Sequence, residues 1–479
     1  MPSDSEKPPV LPTPPDDNPR RRLVAFDGPK DPDHPHNWSR LKKVSFVAIV
    51  SAKIFVVSFA SSIFGSGTTQ VVNEFHTSNI VAQLGVALYI VGFATGPLLF
   101  GPLSEIVGNS PPMIFGCIAC ALLQIPLALV HGIASVLVVR FLAGATGSAV
   151  LGVGAGMVSE LYEPIPRAVA LSVSTSMINL GSTVAPIVGS YVTERYGWRW
   201  TAWVTLIMFA SLEPFALFAL RESSPKRILI AKAKRLRSKG RPECVTPAEE
   251  EKVDVRALIN TYLSKPLRLF CLEPILVVLT VYQTFVYGLL YLAYQTLPLA
   301  FERRGWSVTT STLPFVAVLL GCLCAPAVIM TFTLTWFKRR YEARDGVIVP
   351  EDRLPPMILG AAILPLALVW FGWSMSTHWF AQVLAAYFIG ASVILIFISG
   401  IVYIVDVYTS CANSAVSIQV VFRSVFAASF PLWTRYLYNA LGLEWMYTLL
   451  AGVGALLFPF TVVFFIFGKK IRSWSSFTN

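Results

Sequence analysis

The chain has 479 residues, of which 54% are hydrophobic and 14% charged, and a formal net charge of +11. A soluble protein of this length carries about a quarter of its residues as charged side chains, so the composition excludes a soluble enzyme, a secreted disulfide scaffold and a disordered chain. It points to a protein that uses lipid as its solvent.

The first 43 residues are polar and hold ten prolines. They predict a disordered tail, with no apolar stretch that could serve as a signal peptide. A helix that crosses the hydrocarbon needs about 20 mostly apolar residues. Twelve such runs follow, near 44–64, 80–100, 113–131, 134–157, 168–191, 200–220, 273–298, 309–334, 355–375, 379–404, 413–438 and 446–467. The expectation is an all-α membrane protein, with one six-helix bundle over 44–220, a basic linker over 221–270, a second bundle over 271–468 and a short tail over 469–479. The fourth run exits through Glu160-Leu161-Tyr162 and the tenth through Asp406-Val407-Tyr408. This echo supports two pseudo-symmetric bundles with a substrate site between them near the midplane.

Lysine and arginine placement sets the orientation. With the first tail in the cytosol, the cytosolic segments hold 30 of the 38 Lys and Arg residues, and the outer loops hold four, Arg195, Arg199, Arg303 and Arg304. Both termini are therefore expected in the cytosol, and the basic excess calls for no nucleic-acid partner. Asn37-Trp38-Ser39 fits the glycosylation pattern but falls on the cytosolic side. In the linker, Lys226, Arg227, Lys232, Lys234, Arg235, Arg237 and Lys239 surround Ile228, Leu229, Ile230 and Leu236. That pattern suits a short helix on the anionic inner leaflet, or a solvated basic linker. Of the seven cysteines, five lie in or beside apolar runs, and Cys117 and Cys120 lack a second pair. No disulfide framework, metal or other cofactor is expected.

Three segments carry motifs. Gly101-Pro102-Leu103-Ser104-Glu105-Ile106-Val107-Gly108 follows the second run, with glycines suited to a tight turn and a carboxylate at the membrane edge. Arg140-Phe141-Leu142-Ala143-Gly144 opens a glycine-rich fourth run. The fifth holds Gly181-Ser182-Thr183-Val184-Ala185-Pro186-Ile187-Val188-Gly189, followed by Gly197-Trp198-Arg199-Trp200. In this order they resemble the loop signature, buried-arginine motif and antiporter motif of the major facilitator superfamily, in its twelve-span drug:proton antiporter branch. Arg353-Leu354-Pro355-Pro356, Phe371-Gly372-Trp373 and Gly468-Lys469-Lys470-Ile471-Arg472 resemble the fungal members. The resemblance implies proton-driven efflux by alternating access. Two departures stand out: Gly108 is followed by Asn109 and Ser110 where the family has two arginines, and Ala185 replaces the glycine before Pro186.

Each motif residue has a functional and a structural reading. Glu105 lies where the eleventh run begins near Asn413, and a helix N-terminus carries about half a positive charge. Glu105, with Gly101 and Gly108, is thus a candidate latch between the bundles, or a solvated loop carboxylate. Arg140 is expensive in mid-span. It either faces a polar cavity as a fixed cation or is bonded structurally to backbone carbonyls. Arg423 has the same two readings. Gly181, Ala185 and Gly189 form a small-residue face that allows close helix approach, and Pro186 removes a donor. Ser172, Ser176, Asn179 and Thr183 form a polar stripe on the same helix, facing the central cavity or joining helices. Gln283, Tyr287, Tyr291 and Tyr294 form an aromatic wall in the seventh run, suited to flat amphipathic ligands or to packing. Lys53 and Glu213 lie at roughly 14 and 11 Å from the inner face, at 1.5 Å per residue. Opposite charges at one depth are expected to pair, the alternative being a snorkelling lysine and a protonated acid.

Five histidines without a cluster argue against a membrane enzyme. The reading is a secondary active exporter of a neutral or amphipathic organic molecule such as a drug, toxin or secondary metabolite. It is coupled to protons, functions as a monomer in the lipid bilayer, and resides in the plasma membrane, or else a vacuolar or vesicle membrane. A proton-coupled importer, a polyamine transporter and a transporter-like sensor stay open as alternatives.

Overall fold

A computed structural model describes residues 22–28, 31–241, 244–250, 264–473 and 475. These residues are helical almost throughout, as hydrocarbon demands, because lipid offers no partner to free N–H and C=O groups. The first half holds α1 Arg40–Ile63, α2 Thr68–Phe75, α3 Asn79–Phe93, α4 Thr95–Val107, α5 Ser110–Leu129, α6 Ile133–Ser159, α7 Pro164–Tyr196 and α8 Trp200–Ala219. The connection holds α9 Pro225–Ser238 and α10 Pro247–Glu250. The second half holds α11 Lys265–Leu272, α12 Pro274–Glu302, α13 Phe315–Phe332, α14 Lys338–Glu342, α15 Pro355–Trp373, α16 Trp379–Val407, α17 Ala412–Ala427 and α18 Phe430–Arg472.

Eleven helical stretches among the described residues are long and apolar enough to cross a membrane. The expected eleventh run, 413–438, is not one continuous helix. α17 has only 16 residues, and the chain re-enters a helix at Phe430 with Pro431 in its first turn, where a missing N–H is tolerated. α18 then runs on for 43 residues through the last apolar run, with a break at Gly442 (φ 74°).

Within the first half, α1 packs along α7, α3 along α6, and α5 against α6 and α8. Within the second, α15 lies on α16 and α18, α13 on α16, and α12 on α17. The halves meet where α7 touches α13 and where α3 and α4 touch α17. The small-residue face of α7 makes the α1–α7 contact intimate. A Cβ at Gly181 would strike the carbonyl oxygen of Phe55, and Ala185 is wholly buried.

Residues 22–28 and 31–39, expected inside a disordered tail, are ordered. β1 Arg22–Leu23 pairs in parallel with β2 Cys244–Val245. The Asp31 carboxylate accepts from the N–H groups of Asp27 and Asp33 at 2.7 and 2.8 Å and pairs with Lys232 of α9 at 3.1 Å. Those N–H groups hold its pKa down at about 2. Val24, Ala233 and Cys244 form a small core with Leu229 and Leu236 against it. Leu229 and Leu236 of α9 thus pack on protein, while Ile228 and Ile230 are only half-buried. Residues 1–21 and 251–263 of the expected tail and linker lie outside the described residues. α9 departs from one end of the molecule, the linker face.

Candidate functional site

The seam between the halves is built around α12. Gln283, Tyr287 and Tyr291 are buried on one face of it. The Tyr287 and Tyr291 hydroxyls lie 3.3 Å apart. Tyr291 reaches Ser61 of α1 at 3.3 Å, and Tyr294 reaches Thr183 of α7 at 3.3 Å. Two more contacts lie further from the linker face: Ser190 meets Thr312 at 2.8 Å, and Gln295 Nε2 donates to Gln83 Oε1 at 3.1 Å. The tyrosine row therefore joins the bundles rather than only packing within one.

The polar stripe of α7 divides. Ser172 and Ser176 donate to carbonyls of their own helix, Ala168 at 2.7 Å and Ser172 at 2.6 Å, so these two hydroxyls are satisfied locally. Asn179 is buried with its Nδ2 unpartnered among the described residues. On α17 the Arg423 guanidinium lies 4.6 Å from the Tyr287 ring centre and 4.7 Å from that of Phe397.

Arg140 takes the structural alternative. Its Nε donates to the Gly85 carbonyl at 2.8 Å, and its two terminal nitrogens donate to Ala60 at 2.8 Å and Ser61 at 2.9 Å. Phe64 and Tyr89 cover it at 4.8 and 4.3 Å. The side chain is 1% exposed and ties α6 to α1 and α3, so it does not face a polar cavity here.

Lys53 and Glu213 meet. Lys53 Nζ donates to both carboxylate oxygens, at 2.8 and 3.0 Å, with Lys53 fully buried. On the neighbouring faces of α1, α7 and α8 lies an almost wholly apolar cavity of about 1010 Å³, lined by Val47, Phe55, Val173, Met177, Met208 and Leu334 among others.

At the linker face the loop motif is rearranged relative to its expected turn. Gly101 sits inside α4, and only Gly108 turns the chain (φ 106°). A side chain at Gly108 would strike Glu222. Glu222 accepts from the N–H groups of Asn109 at 2.9 Å and Ser110 at 3.2 Å, capping the start of α5. Asn109 Nδ2 donates to Glu160 at 2.8 Å, and Ser223 donates to the same oxygen at 2.7 Å. Burial pushes the Glu160 carboxyl up to about 7, and the charge of Glu222 adds to this. Glu105 lies in the last turn of α4, which packs against α17; the side chain of Asn413 lies outside the description.

Sequence reasoning missed the matching network in the second half. Arg353 pairs with Asp406 at 2.9 Å, and Arg472 grips Glu351 through two bonds of 2.9 Å. It also missed Glu74, which accepts from Trp198 Nε1 at 2.7 Å and pairs with Arg199 at 2.6 Å on the opposite face. The signal available was the recurrence of Glu160 and Asp406 at corresponding exits, each needing a donor from the preceding loop.

A family profile described as Major Facilitator Superfamily matches residues 52–431. The chain is 37% identical over 460 residues to the MFS-type transporter traF of Penicillium crustosum, covering 95% of this chain and 93% of that one. It is 36% identical over 462 residues to the citrinin biosynthesis cluster MFS transporter mrr1 of Monascus ruber, covering 95% and 92%. Its fold is similar to that of the proton:xylose symporter XylE, with a TM-score of 0.63 at 15% identity over 90% of this chain and 96% of that one.

Proposed function

This chain belongs to the major facilitator superfamily and is a multi-pass membrane transporter, and we propose that it exports an amphipathic small organic molecule in exchange for protons. The observation that carries this reading is the seam, where the tyrosines of α12 meet Ser61 and Thr183 of the other bundle. Hydroxyl contacts of this kind break and re-form readily, which suits two bundles that rock about a central site. Flat aromatic walls with phenol groups suit amphipathic substrates, and the apolar cavity beside α1, α7 and α8 offers room for a greasy body. The similarity to the Monascus ruber transporter of a biosynthesis cluster supports export over import.

The same reading takes α17 with the first part of α18 as one broken span, giving twelve spans with both chain ends in the cytosol. The linker face is then the cytosolic face. The protein works as a monomer in the plasma membrane. The test is expression in a pump-deficient yeast: accumulation of at least one amphipathic toxin should fall, and a protonophore should abolish the difference. Efflux that persists after collapse of the proton gradient removes the coupling, and unchanged accumulation across a broad toxin panel removes export.

A further inference from the structure

We propose that the transported molecule is an aromatic carboxylate and that Arg423 is the residue that anchors its acid group. This assignment rests on the export reading and names the substrate chemistry which that reading leaves open.

Arg423 is 2% exposed, and neither a hydrogen bond nor an ion pair reaches it from any described residue. The other buried arginines differ. Arg140 has three carbonyls, and Arg353 has Asp406. A guanidinium presents five N–H donors in a fixed fork, and a charge in apolar surroundings calls for a counter-charge. Ring faces of Tyr287 and Phe397 lie against Arg423 but accept none of its in-plane hydrogen bonds.

Its neighbours are unsatisfied as well. Gln419 lies one turn earlier on the same face of α17, is fully buried, and has neither amide atom partnered among the described residues. Gln283 Nε2 donates to the Phe397 carbonyl at 3.4 Å, while its Oε1 is unpartnered. Unmet donors and acceptors from α12 and α17 thus gather around two nearly parallel rings, Tyr287 and Phe397, 6.1 Å apart and inclined by 18°. Arg423 is the eleventh residue after Ala412, roughly 16 Å along the helix at 1.5 Å per residue, which is mid-membrane.

The chemistry that completes this cluster is a planar carboxylate, which takes two parallel N–H bonds from the fork while an attached aryl ring lies along the aromatic wall. The amide groups of Gln419 and Gln283 can serve ring hydroxyls or carbonyls. The acid of nearest depth, Glu213, is already paired with Lys53 outside the seam. Arg423 therefore keeps its charge for the ligand, and a cationic substrate would be repelled.

The test uses the purified full-length transporter in detergent, with 2-naphthoate and its uncharged isostere 2-naphthamide as probes. Affinity is read by tryptophan quenching and by ligand-dependent thermal shift. 2-Naphthoate is expected to bind roughly tenfold more tightly than the amide. Arg423→Gln should erase that preference by weakening naphthoate binding to the level of the amide, and Arg423→Lys should keep a weaker one, since an ammonium has the charge but not the fork. Equal binding of the two probes to the unaltered protein, binding of neither, or a preference that survives Arg423→Gln overturns the assignment. The comparison on the unaltered protein decides the matter even if Arg423→Gln fails to fold. Acid-selective binding in a protein that lowers no toxin's accumulation overturns export and leaves this assignment intact; export without acid preference does the reverse.

Discussion

Asn109 Nδ2 donates to Glu160 Oε2 at 2.8 Å, in the place where the second half sets Arg353 against Asp406 at 2.9 Å. Asn109 precedes α5 as Arg353 precedes α15, and each acid follows or ends the next long helix. The first half has therefore exchanged a guanidinium for an amide. Glu160 is left half-buried beside Glu222 without a cation among the described residues, and desolvation, with the charge of Glu222 added, pushes its carboxyl up to about 7.

A pH dependence follows. The fold favours protonated Glu160, so its contribution to stability is complete below about pH 4.5 and is lost as pH rises through about 7. Glu160→Gln keeps the group neutral at every pH. At pH values above the transition the variant should be more stable by up to about 3 kcal/mol, and its melting temperature should stop falling across that range. Parallel pH profiles for the two proteins would assign the dependence to another group.

Restoring the missing cations should reverse the exchange. Asn109→Arg with Ser110→Arg places positive charge beside Glu160 and Glu222, and the state closed at the linker face should gain population. With Cys271 and Cys324 removed, a cysteine introduced at Ser399 on α16 should then label several-fold more slowly. An unchanged rate would show that the amide holds this face as well as arginine does.

Lys53 and Glu213 should behave as a unit. Removing one partner of a buried pair typically costs about 3–5 kcal/mol because the other charge is stranded. Lys53→Met and Glu213→Gln are each expected to lower abundance and melting temperature. The double variant should recover most of both, and losses that simply add would show that the contact carries no coupling energy.

Arg140→Ala should act on the fold before it acts on transport. It strands the carbonyls of Gly85, Ala60 and Ser61, and each buried polar group left unpaired costs about 1–3 kcal/mol. Low abundance and a fall of several degrees in melting temperature are expected. Arg140→Lys should not rescue it, since one ammonium cannot serve three carbonyls set for a planar fork. A variant of normal abundance that fails only in transport would return Arg140 to a cavity role.

The helices and the Lys53–Glu213 contact are legible in the sequence for one reason. Lipid forbids unpaired backbone groups and isolated charges, so the helical character of the long apolar runs and the matching of opposite charges at one depth follow from composition and spacing. The break that splits the expected eleventh run does not, because the chain stays apolar across it and local backbone bonds, from Ser429 N–H to Phe426 and from Leu432 N–H to Ser429, satisfy it. The fate of the arginines was decided by packing. Backbone carbonyls occur at every residue, so nothing in the sequence marks Ala60, Ser61 and Gly85 as the partners of Arg140; only the approach of α1 and α3 to α6 brings them within reach of its fork. Arg423 carries the same charge in the same kind of span, and its lack of a hydrogen-bonding or ionic partner among the described residues emerges only once α12, α16 and α17 have packed around it and left two aromatic faces beside it.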